Sequence, residues 1–332
     1  MGLGFSSVLL RAAETGDVAA ATRALKRLAR VNCRDAKGRT PLVLSILNGQ
    51  HEVAVLLLER DAKVGLCVAG RTPLSYAAES GPRAAVELLI ENAASVDARD
   101  ADAAGFSPLC WAAVRGNLAV AESLLGFGAT VDAAGADGRT PLSLAAGYGS
   151  LSLVQLLLKH GAKLEGRDDE GRTPLSHAAS YGHSAVVLFL LSSGADVNDA
   201  GAISGRGPLA GAIMYGHDAV ATTLISAGAS VDAPDRWRQT PLALSAIYNQ
   251  VGTAKLLLDN GAVVDAASAN GRTPLYWATL YSHGELVSLL LAAGADPGAR
   301  ADDGKAPRDV VKKEAIYALL KQGGGKTESK LV

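Results

Sequence analysis

A proline that returns about every thirty-three residues constrains this chain more than any other feature. In one frame, prolines stand at 41, 73, 108, 141, 174, 208, 241, 274 and 307, with spacings of 32, 35, 33, 33, 34, 33, 33 and 33. Nine of the twelve prolines keep this beat, so it belongs to the whole chain rather than to one segment. A further copy precedes them without its proline: VLLRAAETGD, Val8–Asp17, aligns with PLVLSILNGQ, Pro41–Gln50, at a spacing of 33. Self-similarity at such a period marks a stack of like supersecondary units. One unit is too small to bury its apolar face, whereas stacked copies bury a continuous core through nearest-neighbour contacts. The 332 residues, which would otherwise suggest about two domains, therefore read as one array.

Each copy spells out helix, turn, helix, loop. Thr40, Thr72, Thr140, Thr173, Thr240 and Thr273 precede the proline, and a threonine there is an N-cap whose hydroxyl satisfies an orphan N–H. Proline at the first helical position is tolerated, because its missing N–H would have no helical partner. Small pairs such as Ala77–Ala78 and Ala178–Ala179 then let a neighbouring helix come close. Eight places past the proline, Gly49, Gly81, Gly116, Gly149, Gly182 and Gly216 are expected to end the helix in a left-handed cap, with Asn249 doing so in the eighth copy. A second helix follows on apolar runs such as VAVLLL, Val53–Leu58, and Gly128, Gly161, Gly194, Gly228, Gly261 and Gly294 close it. An Asp/Gly-rich turn such as VDAAGADG, Val131–Gly138, supplies hairpin-loop chemistry without a strand of normal length.

With this period, the GRTPL motif of Gly70–Leu74 and Gly171–Leu175, and the GA-x-V-[DN] endings, the sequence resembles the ankyrin-repeat family over residues 5–322. The resemblance implies an all-α ankyrin-repeat solenoid of helix-turn-helix units with hairpin-like loops. It would be a single domain of about ten repeats, with an N-terminal cap over 5–37, a polar C-terminal cap over 304–322 and a flexible tail over 323–332. One departure stands out. The family usually carries a histidine two places past the proline, bonded to the threonine. Here that place holds Val43, Ser75, Cys110, Ser143, Ser176, Ala210, Ala243 and Tyr276, and the serines are expected to replace the lost bond in part.

Composition excludes several function classes. Lys+Arg at 32 and Asp+Glu at 33 leave no global field that would attract nucleic acid or an anionic membrane. Cys33, Cys67 and Cys110 are far apart and form no C-x2-C pair, so neither a zinc site nor a disulfide framework is expected, and a reduced, cytoplasmic setting fits. No apolar run approaches the roughly 18 residues of a membrane span. No secretory leader pattern is present. Met1–Ser6 matches the N-myristoylation pattern at Gly2, but without a following polybasic patch an ordinary helix start is expected. GGGKT, Gly323–Thr327, lacks the leading glycine of a phosphate loop, Leu320 standing there, and no strand precedes it. SKL, Ser329–Leu331, is not terminal, and GHSAV, Gly182–Val186, lacks the last glycine of a nucleophile elbow. With no recognisable nucleophile, base and acid, the expectation is no catalytic residue, no metal and no cofactor.

For function, the resemblance implies a partner held on the concave side, against loop tips and first helices. Seven places past the proline, Tyr148, Tyr181, Tyr215, Tyr248 and Tyr281 recur in five consecutive copies, using five of the eight tyrosines. Stacked, they would form a ladder with steps of about 10 Å, and tyrosine is a rigid amphipathic contact residue. Met214, Trp237, Trp277 and Arg206 gather nearby; the arginine row Arg139, Arg172, Arg206 and Arg272 reads mainly as ion pairing between loops. In the seventh copy Gly207 replaces the capping threonine, and Ala210 and Gly211 drop side chains between His177 and Leu244. Small residues flanked by large ones predict a hollow. The expected function is a non-enzymatic protein–protein interaction module or scaffold, monomeric, binding a protein partner in the groove of repeats five to nine. The alternative is a small-molecule-binding protein or unusual enzyme, with a pocket around Gly211 lined by His177, Tyr181, Tyr215 and Trp237.

Overall fold

The threonines cap as their position demands. In the computed structural model, which describes residues 2–201 and 203–327 with side chains from 4 to 322, the hydroxyl oxygens of Thr40, Thr72, Thr140, Thr173, Thr240 and Thr273 each accept the N–H three residues on, at 3.1–3.3 Å. Ser107 does the same for Cys110 at 3.3 Å. Gly207 has no side chain to offer, and the loop before it explains why. That loop is one residue longer than most, and a Cβ on Gly207 would come within 2.7 Å of the Asp199 carbonyl oxygen.

The helices fall into two compact bodies, Met1–Asp169 and Glu170–Val332. The first body pairs α1 (Gly2–Thr15) with α2 (Val18–Lys26), α3 (Pro41–Leu47) with α4 (His51–Leu58), α5 (Pro73–Ser80) with α6 (Arg83–Glu91), α7 (Pro108–Arg115) with α8 (Leu118–Gly126) and α9 (Pro141–Gly147) with α10 (Leu151–Lys159). The second pairs α11 (Pro174–Ser180) with α12 (Ser184–Ser192), α13 (Pro208–Met214) with α14 (Asp218–Ser226), α15 (Pro241–Tyr248) with α16 (Val251–Asp259) and α17 (Pro274–Leu280) with α18 (Gly284–Ala292). A 3-10 turn at Pro307–Val310 and α19 (Glu314–Thr327) finish it. Thus the backbone is helical through Thr327, into the stretch expected as a tail, while residues 328–332 and Met1 of the lipidation pattern lie outside the described residues. No strand occurs among the described residues, only an isolated bridge between Val68 and Arg71.

Within each body, first helices pack on first helices and second on second. The leucine after the proline is buried in every repeat from Leu42 to Leu275, and Leu57, Leu89, Leu124, Leu157, Leu190, Leu224, Leu257 and Leu290 are fully buried in the second helices. Burial of each leucine contributes roughly 1.5–3 kcal/mol.

Neighbouring repeats are tied by side chains reaching backbone groups. The Asp or Asn after the second helix accepts an N–H of the next repeat: Asn32 from Lys63, Thr130 to Asp97, Lys163 to Asp132, Ser230 to Asn198, Val263 to Asp232 and Asp296 to Asp265, at 2.8–3.2 Å. The residue after the turn reaches the other way. Gln50 donates to the Glu14 carbonyl, and the rings of His217 and His283 meet the carbonyls of Ser180 and Ile247 at 3.0 and 3.4 Å. Loop tips add backbone rungs: Ala101 to Gly70, Ala136 to Ala104, Arg236 to Ser204, Ala269 to Trp237 and Asp302 to Asn270. Of the serines, Ser75 bridges repeats by donating to Asp100 at 2.6 Å, whereas Ser143 bonds only its own Thr140 carbonyl.

The glycine caps are left-handed at Gly49, Gly116, Gly149, Gly182 and Gly216, with φ from 65° to 78°, and at Asn249 with φ 58°. Gly81 departs, with φ −88° and ψ 163°, because Pro82 follows and forces its neighbour into extended backbone. In the ninth repeat Ser282 takes the left-handed conformation instead, φ 63°, a cost of about 1–2 kcal/mol for a residue with a Cβ.

Two stability predictions follow from this geometry. Ser282→Gly should stabilise the C-terminal body by about 1 kcal/mol in urea unfolding; no gain would mean that the serine is not strained. Asp265 is held above the ordinary carboxylate range, first by burial and then by repulsion from Asp296, against a hydrogen bond from the Asp296 N–H. A raised acid pKa favours the folded state at low pH, and that benefit is lost as pH rises through it. Asp265→Asn keeps the acceptor, as Asn198 does naturally, and should stabilise at neutral pH by on the order of 0.5 kcal/mol, with the gain vanishing in acid.

Candidate functional site

The tyrosines sit where the first helices run out. Tyr181, Tyr215 and Tyr281 are the C-cap residues of α11, α13 and α17, and Tyr248 is the last residue of α15. Because these four helices pack in sequence, the second body carries the four tyrosines in consecutive layers. All are exposed, Tyr181 by 61% and Tyr215 by 65%. One place earlier stand Ser180, Met214, Ile247 and Leu280, each half-buried. Tyr148, the C-cap of α9, is likewise exposed on the first body.

Trp237 lies at the tip of the loop before α15 and is 43% exposed. The Arg206 and Arg236 guanidinium groups each stand 4.8 Å from its ring centroid. Arg206 is itself pinned at 3.0 Å by the buried Asp235, whose carboxylate also accepts the N–H groups of Trp237 and Gln239. The next residue, Arg238, takes φ 59° where Gly171, Gly205, Gly271 and Gly304 stand in the other loops. The sequence signal was the broken Gly-Arg pair; its strain, roughly 1–2 kcal/mol, is a structural finding.

The predicted hollow at Gly211 is corrected by packing. A Cβ built there would run into the Ser180 hydroxyl of the adjoining helix, so Gly211 marks a close approach of α11 and α13 rather than the floor of an open pocket. His177 is buried in α11, while Tyr181 and Tyr215 point into solvent, so this set does not line one enclosure. A cleft of about 30 Å³ does open beside Ala210, lined by Asn198, Gly207, Asp235 and Gln239, which is room for one water. Trp277 is also repositioned: at 8% exposure it lies under Tyr281, with ring planes 13° apart, and Arg272 is 5.1 Å from its centroid. It supports the tyrosine above it rather than presenting itself.

A polar cluster that sequence reasoning missed occupies the first body. Arg71 stacks 3.7 Å from the Trp111 centroid and 4.5 Å from that of Tyr76, and pairs with Glu79 at 2.7 Å. Arg115 meets the other Glu79 oxygen at 2.7 Å. Burial pushes the Glu79 carboxyl up, but the two arginines outweigh it and hold it below the usual range. Asp100, buried, accepts from Ser75, from the Thr72 N–H and from the Trp111 indole. The cluster draws on residues from two repeats and the loop between them, so no motif announces it. Among the described residues no group of three or more His, Cys, Asp or Glu side chains could hold a metal ion, and no helix is long and apolar enough to cross a membrane.

Comparison with known proteins agrees with this architecture. The family model for ankyrin repeats matches residues 9–100, 109–200 and 205–301. Among solved structures, the chain is similar to the ankyrin repeat domain of Bcl-3, a member of the IkappaB protein family, with a TM-score of 0.58 and 27% identity. The match covers 66% of this chain and 99% of that one.

Two substitutions separate close packing from a hollow at Gly211. Gly211→Ala should raise thermal stability, by about 0.5–1 kcal/mol, because the crowding atom is the free end of the Ser180 side chain and alanine favours the helix. Gly211→Leu should cost about 1–3 kcal/mol by overpacking. A leucine accommodated without loss would restore the hollow.

Proposed function

Because the chain belongs to the ankyrin-repeat family, whose members are generally protein–protein interaction modules, we propose that its C-terminal body binds a protein partner across the face bearing Tyr181, Tyr215, Tyr248 and Tyr281. The observation that carries this reading is four exposed tyrosines on four consecutive first helices, flanked by the half-buried Met214, Ile247 and Leu280. Among the described residues the inter-repeat hydrogen bonds use none of the four phenol groups, and Tyr281 alone of the four stacks on a neighbouring ring, that of Trp277. A tyrosine presents a large rigid area at little entropic cost, and such residues dominate binding energy when a partner excludes water around them. Tyr148 presents an exposed ring of the same kind on the first body. The small-molecule reading loses its support with the hollow at Gly211.

The test is a partner recovered by pull-down and mass spectrometry, then purified and titrated. Replacing Tyr181, Tyr215 and Tyr248 together by alanine should weaken its binding by more than ~2 kcal/mol, about 30-fold, with the unfolding midpoint little changed. Unchanged affinity would refute the proposed face.

A further inference from the structure

The loop tip of the eighth repeat is unlike its neighbours. It reads Asp235-Arg236-Trp237-Arg238-Gln239, where the ninth reads Ser268-Ala269-Asn270-Gly271-Arg272 and the fifth Gly135-Ala136-Asp137-Gly138-Arg139. Two features make this tip more than a solvated turn. First, it is rigid. The Arg236 N–H donates to the Ser204 carbonyl at 3.0 Å, and the Trp237 carbonyl accepts from Ala269 at 2.8 Å, so the tip is tied to the loops on both sides. The indole is held by Arg206 and Arg236, and Arg206 is in turn fixed by Asp235. Second, it is uncompensated. Arg236 and Arg238 are exposed and make no ion pair among the described residues. Beside them the exposed Ile203 of the preceding loop lends its carbonyl to Arg236 at 3.3 Å. The left-handed backbone at Arg238, φ 59°, is where glycine would relieve strain, and a long cation stands there instead.

We propose that this tip is a docking site for an acidic, extended segment of a partner protein, in which carboxylates flank an apolar side chain. The carboxylates would pair with Arg236 and Arg238, whose planar forks suit them and leave a guanidinium face free to stack on an indole. The apolar side chain would cover Trp237 and Ile203. The chain as a whole has a net charge of −1, so the positive field is local, which favours a short acidic segment over a polyanion such as RNA. This inference rests on the reading that the C-terminal body binds protein, and it adds the chemistry of the partner.

The experiment is selection of phage-displayed random 15-residue peptides on the full chain, followed by anisotropy titration of the selected peptides against variants. Asp and Glu should be enriched beside an apolar residue. Arg236→Glu with Arg238→Glu should weaken these peptides at least 10-fold. Arg238→Gly, which relieves strain and keeps the fold, should weaken them several-fold while raising the unfolding midpoint. Trp237→Ala should weaken them as well. Peptides without acidic enrichment, or acidic peptides indifferent to the arginine variants, would overturn the docking site. In that case the tyrosine-face reading stands if the Tyr181, Tyr215 and Tyr248 alanine variant weakens the recovered protein partner, and falls with the docking site if it does not. Failure to select any peptide overturns the docking site alone, because the tyrosine face is decided by titration of the recovered partner. Binding of poly(U) tighter than any peptide, and abolished by the arginine variants, would also overturn the docking site in favour of a nucleic-acid surface.

Discussion

The interaction on which the rest depends is a side chain of one repeat satisfying a backbone group of the next. The helices are only seven to nine residues long in the inner repeats, and helices that short are marginal in water. Their ends leave N–H and C=O groups unpaired, and these are what the neighbours supply. Gln50, His217 and His283 close the carbonyl ends of the preceding first helices, while Asn32, Asp97, Asp132, Asn198, Asp232 and Asp265 hold the turn of the repeat that follows. Stability is then a sum over neighbouring contacts. Positions that take part in neither these bonds nor the leucine core are free to serve a partner, and Tyr181, Tyr215 and Tyr248 are of that kind.

Most of the fold was legible because its signals are local. A threonine before a proline, a leucine after it and a glycine two turns on act within one repeat, so their spacing alone specifies caps and helices. What stayed hidden depends on neighbours in sequence or in space. Gly81 has the right residue for a left-handed cap and is denied it by Pro82. Gly211 looked like missing volume, but whether a missing side chain leaves space is set by the distance to α11, and Ser180 occupies that space. Trp277 and Trp111 share one register position, yet only Trp111 finds an acceptor for its indole, because Asp100 of its loop is matched in the ninth repeat by Ser268. The Arg71 cluster spans residues 71 to 115 and no period predicts it. The exposure of the tyrosines, by contrast, follows from register, and the sequence suffices to place them at the helix ends.

The seventh and eighth repeats hold several departures from the pattern, and they differ in their physical origin. One extra residue in the loop brings the Asp199 carbonyl against Gly207, which excludes the threonine cap and forgoes roughly a few tenths of a kcal/mol of helix stabilisation, since glycine caps nearly as well as threonine. Gly211 admits the close approach of α11. Arg238, in contrast, answers no packing demand, since it projects into solvent from a conformation that glycine adopts freely. The first departure is a consequence of geometry that the chain must accommodate, while at Gly211 the crowding atom is the end of the Ser180 side chain, which can turn aside. The third is strain with no structural return, and it stands next to the exposed, doubly stacked Trp237. A solenoid tolerates such a local cost because the neighbouring interfaces do not share it. Leu28, Asp61, Ala69, Ala93 and Ser282 share that left-handed conformation, so what sets Arg238 apart is the cation it presents beside an exposed aromatic ring, and there binding, rather than folding, has the stronger claim on the residue.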